Sequence, residues 1–208
     1  MIVVLYSGSF GRRIVVRAAQ AGVQPISDFE FNSVVVSILI AFALSEVLAS
    51  WGSLIKRPPS APSWLYIATS ILLVRLLVGH WLGLSAYRSI ENISPGESLL
   101  IFSPSFLAAL AAFILAPNRM ESEPLDLSEH YFRVSRWVFS LLAAFTVLAG
   151  LSDLLIPELK PLPLWFYSLW ASVLLIPAFV SIRRVHAAVI AASFVVPPAF
   201  MALAGVSP

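Results

Sequence analysis

Two long apolar runs, joined by a short polar segment, constrain the fold of this chain more than any other feature. They extend over about residues 31–55 and 63–84, and the segment between them reads Lys56-Arg57-Pro58-Pro59-Ser60-Ala61-Pro62. A helix of about 20 apolar residues crosses the hydrocarbon core of a bilayer. Because each run reaches that length, the pair predicts a hairpin of two transmembrane helices.

Each run carries one charged residue near its middle, Glu46 in the first and Arg75 in the second. Counted from the turn at Pro59, at about 1.5 Å per residue, the two charges would reach nearly the same depth. Because charges inside a bilayer are costly, we expect an ion pair within the hairpin. It is either a site for an ion, a proton or a polar substrate, to which Ser45 would add a hydroxyl, or a structural clasp. A further alternative is that one charge pairs with a partner subunit.

The composition agrees with a membrane protein. Hydrophobic residues make up 59% of the chain and charged residues 12%, whereas an average soluble domain carries about 25% charged residues. Further apolar runs follow the hairpin, so the chain is predicted to be an all-α bundle of six transmembrane helices. The predicted helices cover about residues 31–55, 63–84, 97–116, 127–155, 161–182 and 185–203.

Residues 1–30 precede the first predicted helix, and two interpretations of them stay open. They form either a tail or a short interfacial helix, in which Arg17 would keep its charged head in water. Arg12, Arg13 and Arg17 follow an apolar patch, whereas a signal peptide begins with its charge. We therefore expect no signal peptide in this stretch.

Basic residues are distributed unevenly among the predicted loops. The loops after the first, third and fifth helices are richer in them than the other two, which hold only Arg88 and Lys160. The positive-inside rule therefore places the richer loops in the cytoplasm and both termini outside. The arginines within residues 1–30 favour the opposite orientation.

A weak internal similarity suggests two related halves. Residues 37–42 resemble residues 140–145, and residues 62–64 resemble residues 163–165. Both pairs would superpose the first three helices on the last three, as an inverted three-plus-three repeat of the kind that many secondary transporters have. Chance similarity is the alternative, because Leu, Ala, Ser and Phe dominate any membrane helix.

Three prolines interrupt the last two predicted helices. Pro177 lies in the fifth helix, and Pro197 and Pro198 lie near the middle of the sixth. A proline has no N–H, so the last two would free the carbonyls of Ser193 and Phe194. Helix breaks at mid-membrane can coordinate cations or act as hinges. The alternative is that these prolines serve packing alone.

The start of the fourth helix is polar. The run Asp126-Leu-Ser-Glu129 predicts a capping box. The basic residues near this helix end and in the turn before the sixth helix are expected to contact anionic lipid headgroups. These residues are Arg133, Arg136, Arg183 and Arg184.

No catalytic, metal or cofactor site is predicted. The chain has no Cys, which excludes disulfides, thiolate metal sites and iron–sulfur clusters. It contains no phosphate-binding loop, no Gly-rich dinucleotide turn and no HExxH or GxSxG motif. His80, His130 and His186 stand far apart, so neither a metal nor a haem is expected. A net charge of only +2 gives no indication of a nucleic-acid partner.

Several short runs resemble a group of uncharacterised bacterial multi-pass membrane proteins. The most specific is the run from Asp126 to Phe132, followed by Arg136-Trp137. The others are residues 28–33 with Ser37, Pro62-Ser-Trp64 and Gly79-His-Trp81. The resemblance covers about residues 28–180 and leaves the first 25 outside the shared core. It implies a location in the bacterial inner membrane and brings no activity with it.

Two functions of different classes follow from these observations. The first is a small channel or transporter that uses Glu46 and Arg75 at mid-depth. The second is a non-transporting accessory or scaffold subunit, in which the same residues form a clasp. The expected partners are the lipid bilayer and either further copies of the chain or a larger membrane complex. We expect no enzymatic activity.

Overall fold

The computed structural model describes residues 28–56, 58–89, 94–117, 126–154 and 162–203. Predictions for residues 1–27 and for the loop residues 118–125 lie outside these ranges. The described residues contain six α-helices and a short 3-10 helix, and they form no strand longer than an isolated bridge, which confirms the all-α fold. The helices are α1 (Asp28–Lys56), α2 (Trp64–Gly83), α3 (Pro95–Leu115), α4 (Leu127–Asp153), α5 (Leu164–Phe179) and α6 (Arg183–Leu203), and the 3-10 helix is Leu84–Ser89.

Five of the helices, α1 to α4 and α6, are long and apolar enough to cross a membrane. The remaining helix, α5, has 16 residues, which at about 1.5 Å per residue gives a length of about 24 Å. It is shorter than the predicted range 161–182, because the chain leaves the helix at Val180, which has an extended backbone.

The backbone of the turn from α5 to α6 is hydrogen-bonded. The Val180 N–H donates to the Ile176 carbonyl at 3.0 Å, and the Val180 carbonyl accepts from His186 Nε2 at 2.8 Å. The Ile182 carbonyl accepts from the Val185 N–H at 2.9 Å. A non-helical turn at the edge of a bilayer needs such partners, because lipid supplies none.

Side chains fix where the helices begin. Asp126 caps α4 by accepting from the backbone N–H groups of Ser128 and Glu129, as the capping box predicted, although Glu129 itself pairs with Arg133. Ser94 and Glu97 form a reciprocal capping box at α3. The sequence interpretation missed this box, and α3 therefore begins two residues earlier than predicted, at Pro95.

The central helix of the bundle is α2, which packs against α1, α3, α4 and α6. Its buried leucines form much of the core: Leu65, Leu72, Leu73 and Leu77. Further contacts join α3 to α4, α4 to α5, α5 to α6 and α1 to α3. The two halves pack differently. The backbones of α1 and α3 are in contact, whereas within the described ranges those of α4 and α6 are not. The three-plus-three repeat therefore rests on the sequence alone.

Helices α4 and α5 approach each other closely at Gly150. A Cβ atom added at this position would lie 2.5 Å from Cγ and 2.9 Å from Cβ of Tyr167. Such distances are far below van der Waals contact, so the two helices would have to separate. Gly150 thus sets how closely α5 packs against α4.

We expect Gly150→Ala to lower the free energy of unfolding by about 1–3 kcal/mol, the usual cost of overpacking a core. Thermal unfolding in detergent, followed by circular dichroism, measures this change. Gly52→Ala is the matched control, because an added Cβ there meets nothing within 4 Å. Equal melting temperatures for the two variants would contradict the close approach.

Candidate functional site

The clearest polar contact at mid-membrane joins α2 to α6. Pro197 lacks an N–H, so the Ser193 carbonyl has no helical partner. The Arg75 guanidinium supplies one, because its Nη1 donates to the Ser193 carbonyl at 2.8 Å. Its Cζ also lies 5.7 Å from the centroid of the Phe194 ring. Two features that the sequence placed in separate sites, Arg75 and the proline pair, therefore belong to one site.

The prolines do not interrupt their helices. α6 continues as a helix through Pro197 and Pro198, and α5 continues through Pro177. What the first proline of α6 removes is one backbone hydrogen bond, and Arg75 replaces it. The freed carbonyl, for which cation binding, a hinge and packing alone were all open, therefore binds a guanidinium of the same chain.

Two contacts between α1 and α2 set the register of the hairpin. The hydroxyls of Ser50 and Tyr66 are 2.5 Å apart, and Trp81 Nε1 donates to Ser37 Oγ at 3.1 Å. At about 1.5 Å per residue, the first contact places Arg75 about 7 Å further along the bundle than Glu46, and the second places it about 5 Å further. The second contact centres the hairpin at position 59, as the count along the sequence assumed, so the similar depth of Glu46 and Arg75 stays a prediction.

α1 continues six residues beyond Ser50, and α2 begins two residues before Tyr66. The Glu46 carboxylate acts electrostatically on the Tyr66 phenol. Ser45 is exposed on the outer side of α1. The direct pairing of Glu46 with Arg75 stays a prediction.

The basic residues near the start of α4 and α6 lie together on one face of the bundle, which we call the basic face. All four are exposed: Arg133, Arg136, Arg183 and Arg184. Arg133 pairs with Glu129, Arg136 lies 4.8 Å from the Trp137 ring centroid, and Arg183 donates to Ser128 Oγ at 3.0 Å. Their contact with lipid headgroups stays a prediction, which their exposure permits.

A fully buried histidine joins α4 to α6 beneath the basic face. His186 Nε2 faces the Val180 carbonyl, which can only accept, so this nitrogen carries the proton. His186 Nδ1 therefore accepts from the Tyr131 hydroxyl, at 2.8 Å. The rings of Phe132 and Phe139 lie edge-on to the imidazole. The neutral ring serves as a two-sided hydrogen-bond bridge, which the sequence did not reveal.

A second cluster that the sequence interpretation missed lies at the opposite face. Asp153, at the end of α4, accepts from the hydroxyl of Tyr87 at 3.1 Å and from that of Tyr167. Tyr87 also donates to Ser152 Oγ at 3.0 Å. Burial raises the pKa of the Tyr87 phenol, and the charge of Asp153 adds to this shift. The cluster holds the 3-10 helix, α4 and α5 together.

A small cavity lies beside this second cluster. Its volume is about 10 Å³, which is the lower limit for a single water molecule. It is lined by Phe29, Asn32, Ser33, Leu84, Tyr87, Ile101 and Phe102. Arg75 does not line it. Among the described residues, no group of three or more His, Cys, Asp or Glu side chains could hold a metal ion.

The fold and these contacts define an integral membrane protein of the polytopic, all-α class. When the chain is compared with protein-family models, with curated proteins and with solved structures, none of the three shows a significant match.

The bond between Arg75 and the Ser193 carbonyl predicts a coupling to Pro197. Arg75→Met leaves this carbonyl without a partner, at a cost of about 1–3 kcal/mol. Pro197→Ala restores an N–H that can donate to the same carbonyl. We therefore expect a double-mutant cycle of the two changes, measured by unfolding in detergent, to show a coupling of at least about 1 kcal/mol.

Pro198→Ala is the matched control for this cycle. It restores a donor to the Phe194 carbonyl instead, so it should show no coupling to Arg75→Met. Equal coupling with both alanine variants, or none with either, would show that Arg75 does not replace the hydrogen bond that Pro197 removes.

The second cluster predicts that Tyr167→Phe destabilises the bundle. The change removes one of the two phenols that donate to Asp153, and we expect a loss of about 1–3 kcal/mol in the free energy of unfolding. Trp165→Phe alters an exposed aromatic ring in the same turn of α5 and serves as the control. If both variants had the melting temperature of the natural protein, the Asp153 cluster would not hold α5.

Proposed function

We propose that this membrane protein is a non-transporting subunit of a larger membrane complex. The observation that supports the proposal is the contact between Arg75 and Ser193. A cation site at the proline break needs a backbone carbonyl that is free to bind the ion. Here the carbonyl that a proline frees is bound by Arg75, so the contact joins two helices.

The cavity beside the second cluster favours the same proposal. It is too small for more than about one water molecule, and it lies near the 3-10 helix, away from Arg75. Several buried polar side chains deeper in the bundle bind each other or backbone carbonyls, whereas Thr69 Oγ1, His80 Nε2 and Ser105 Oγ have no hydrogen-bond partner among the described residues. Ser50 with Tyr66, and Tyr131 with His186, are two examples.

The competing proposal is a small channel or transporter that uses Glu46 and Arg75. It draws on the position of two ionisable groups within membrane helices, which mark ion or proton pathways in many proteins. A difference in depth between the two groups does not exclude a path that visits them in turn. The two proposals differ in whether purified protein carries flux.

The proposed membrane is the inner membrane of a bacterium. This inference draws on the sequence resemblance of residues 28–180 to bacterial multi-pass proteins. The proposal assigns no enzymatic activity and no cofactor to the chain, since its sequence holds none of the motifs that such activities use.

The test is reconstitution of the purified protein in liposomes that contain a pH-sensitive dye, without a protonophore to measure proton flux and with one to report the flux of other ions as compensating proton movement. We expect flux of protons, potassium, sodium and chloride equal to that of protein-free vesicles, both for the natural chain and for Glu46→Gln. Flux above that level, altered by Glu46→Gln, would favour the transporter.

A second measurement tests the complex itself. Native mass spectrometry of the particle extracted in mild detergent should show this 22.7 kDa chain together with a different chain in a fixed ratio. Particles that hold only this chain, under conditions in which a known complex of the same membrane stays intact, would overturn the proposed role as a subunit.

A further inference from the structure

Arg75 lies at the border between the contact of α2 with α6 and the exposed side of α2. The side chain is half-buried, and its guanidinium contacts Ser193 of α6. Of the nearby positions on α2, Leu72 is buried, whereas Ile71, Val78 and Leu82 have exposed fractions of 44%, 38% and 60%. One flank of Arg75 therefore borders lipid-facing positions.

The hydrogen bond to the Ser193 carbonyl uses one of the N–H donors of the guanidinium. An arginine side chain has five N–H donors, and the structure shows one hydrogen bond from it to the described residues, to the Ser193 carbonyl. Arg75 lies about 16 Å from the start of α2 and about 12 Å from its end, at about 1.5 Å per residue. Both distances exceed the length of the arginine stem, so the charged head does not reach either interface.

The surface beside Arg75 is open. Gly79 and Gly83 follow it by one and two turns, and both are exposed. A Cβ atom added at either glycine would meet nothing within 4 Å. Small residues spaced by four are typical of surfaces on which a second membrane helix packs closely. Helix α2 thus combines a charge at mid-depth with room for a neighbouring backbone.

We propose that this surface of α2 binds a transmembrane helix of another protein that carries an Asp or Glu at mid-depth. A carboxylate satisfies a guanidinium better than any other group that a membrane helix can carry. Lipid tails offer no acceptor, and a charge that faces them is costly. The inference rests on the proposed function, and it names the kind of partner and the surface that receives it.

A second copy of this chain fits the surface poorly. In a symmetric pair whose axis is normal to the membrane, equivalent residues keep the same depth. The carboxylate that a second copy could bring within its described membrane helices is Glu46, which lies about 5–7 Å from the depth of Arg75, at about 1.5 Å per residue. The acidic residue is therefore expected on a different chain.

The test uses a model helix of about 21 Leu and Ala residues with one Asp at its centre, and a control peptide with Asn in its place. The peptides carry a donor dye. The protein carries an acceptor at Arg88→Cys, which is a single labelling site because the natural chain has no Cys. Energy transfer in vesicles of neutral lipid measures binding. We expect the Asp peptide to bind about tenfold more tightly than the Asn peptide.

Two variants locate the binding surface. Arg75→Met, placed in the Pro197→Ala chain so that the Ser193 carbonyl keeps a partner, should remove the preference for Asp. Gly79→Leu fills open space, so it should fold normally and weaken the binding of both peptides. Ala144→Leu, an equal change at an exposed position of α4, should leave binding unchanged.

Three results would overturn the proposal. One is equal binding of the Asp and Asn peptides, and another is a preference for Asp that survives Arg75→Met. The third is either competition by added phosphatidylglycerol, which would assign the surface to anionic lipid, or energy transfer between donor- and acceptor-labelled copies of this chain that Arg75→Met abolishes, which would assign it to a second copy. None of these results depends on flux, so the inference can fail while the non-transporting role stands, and the reverse also holds.

Discussion

The bundle depends on giving every backbone carbonyl within the hydrocarbon a hydrogen-bond donor, because lipid offers none. Prolines within the helices show this constraint, because each one removes the N–H that would bind the carbonyl four residues earlier. The Ser193 carbonyl loses its helical donor to Pro197 and takes one from Arg75, on another helix. In α3, Pro104 removes the donor of the Leu100 carbonyl, and the Ser103 hydroxyl replaces it at 3.0 Å. The hydrogen bond from Ser103 lies within α3 and joins it to no other helix. The hydrogen bond from Arg75 joins α6 to α2.

The same constraint acts where helices end. The carbonyl of Leu115, at the end of α3, faces His130 Nε2 at 2.9 Å. The carbonyl of Val180, just after α5, accepts from His186 Nε2 at 2.8 Å. Both histidines belong to the following part of the chain, so each fixes the direction in which the chain turns back. These are structural roles, and they account for two of the histidines without a metal or a proton path.

The sequence predicted the class of fold because the length of an apolar run is a local property. It also predicted that Asp126 caps α4, since capping uses neighbouring residues. It could not predict the partner of Arg75, which lies 118 residues away along the chain. The depths of Glu46 and Arg75 depend on the register between α1 and α2, which the contacts of Ser50 with Tyr66 and of Ser37 with Trp81 set. Asp153 was missed because an acidic residue at the end of an apolar run is typical of an ordinary helix end.

The contact with Ser193 does not by itself account for an arginine in α2. Alanine at position 197 would satisfy the same carbonyl through the helix and would leave no charge in the membrane. The other N–H groups of Arg75 point to a further role, because one flank of Arg75 on α2 borders lipid-facing positions. A carboxylate from a neighbouring helix would meet these groups and neutralise the charge. Arg75 would then join α6 on one side and a partner helix on the other, so that internal packing and assembly depend on the same residue.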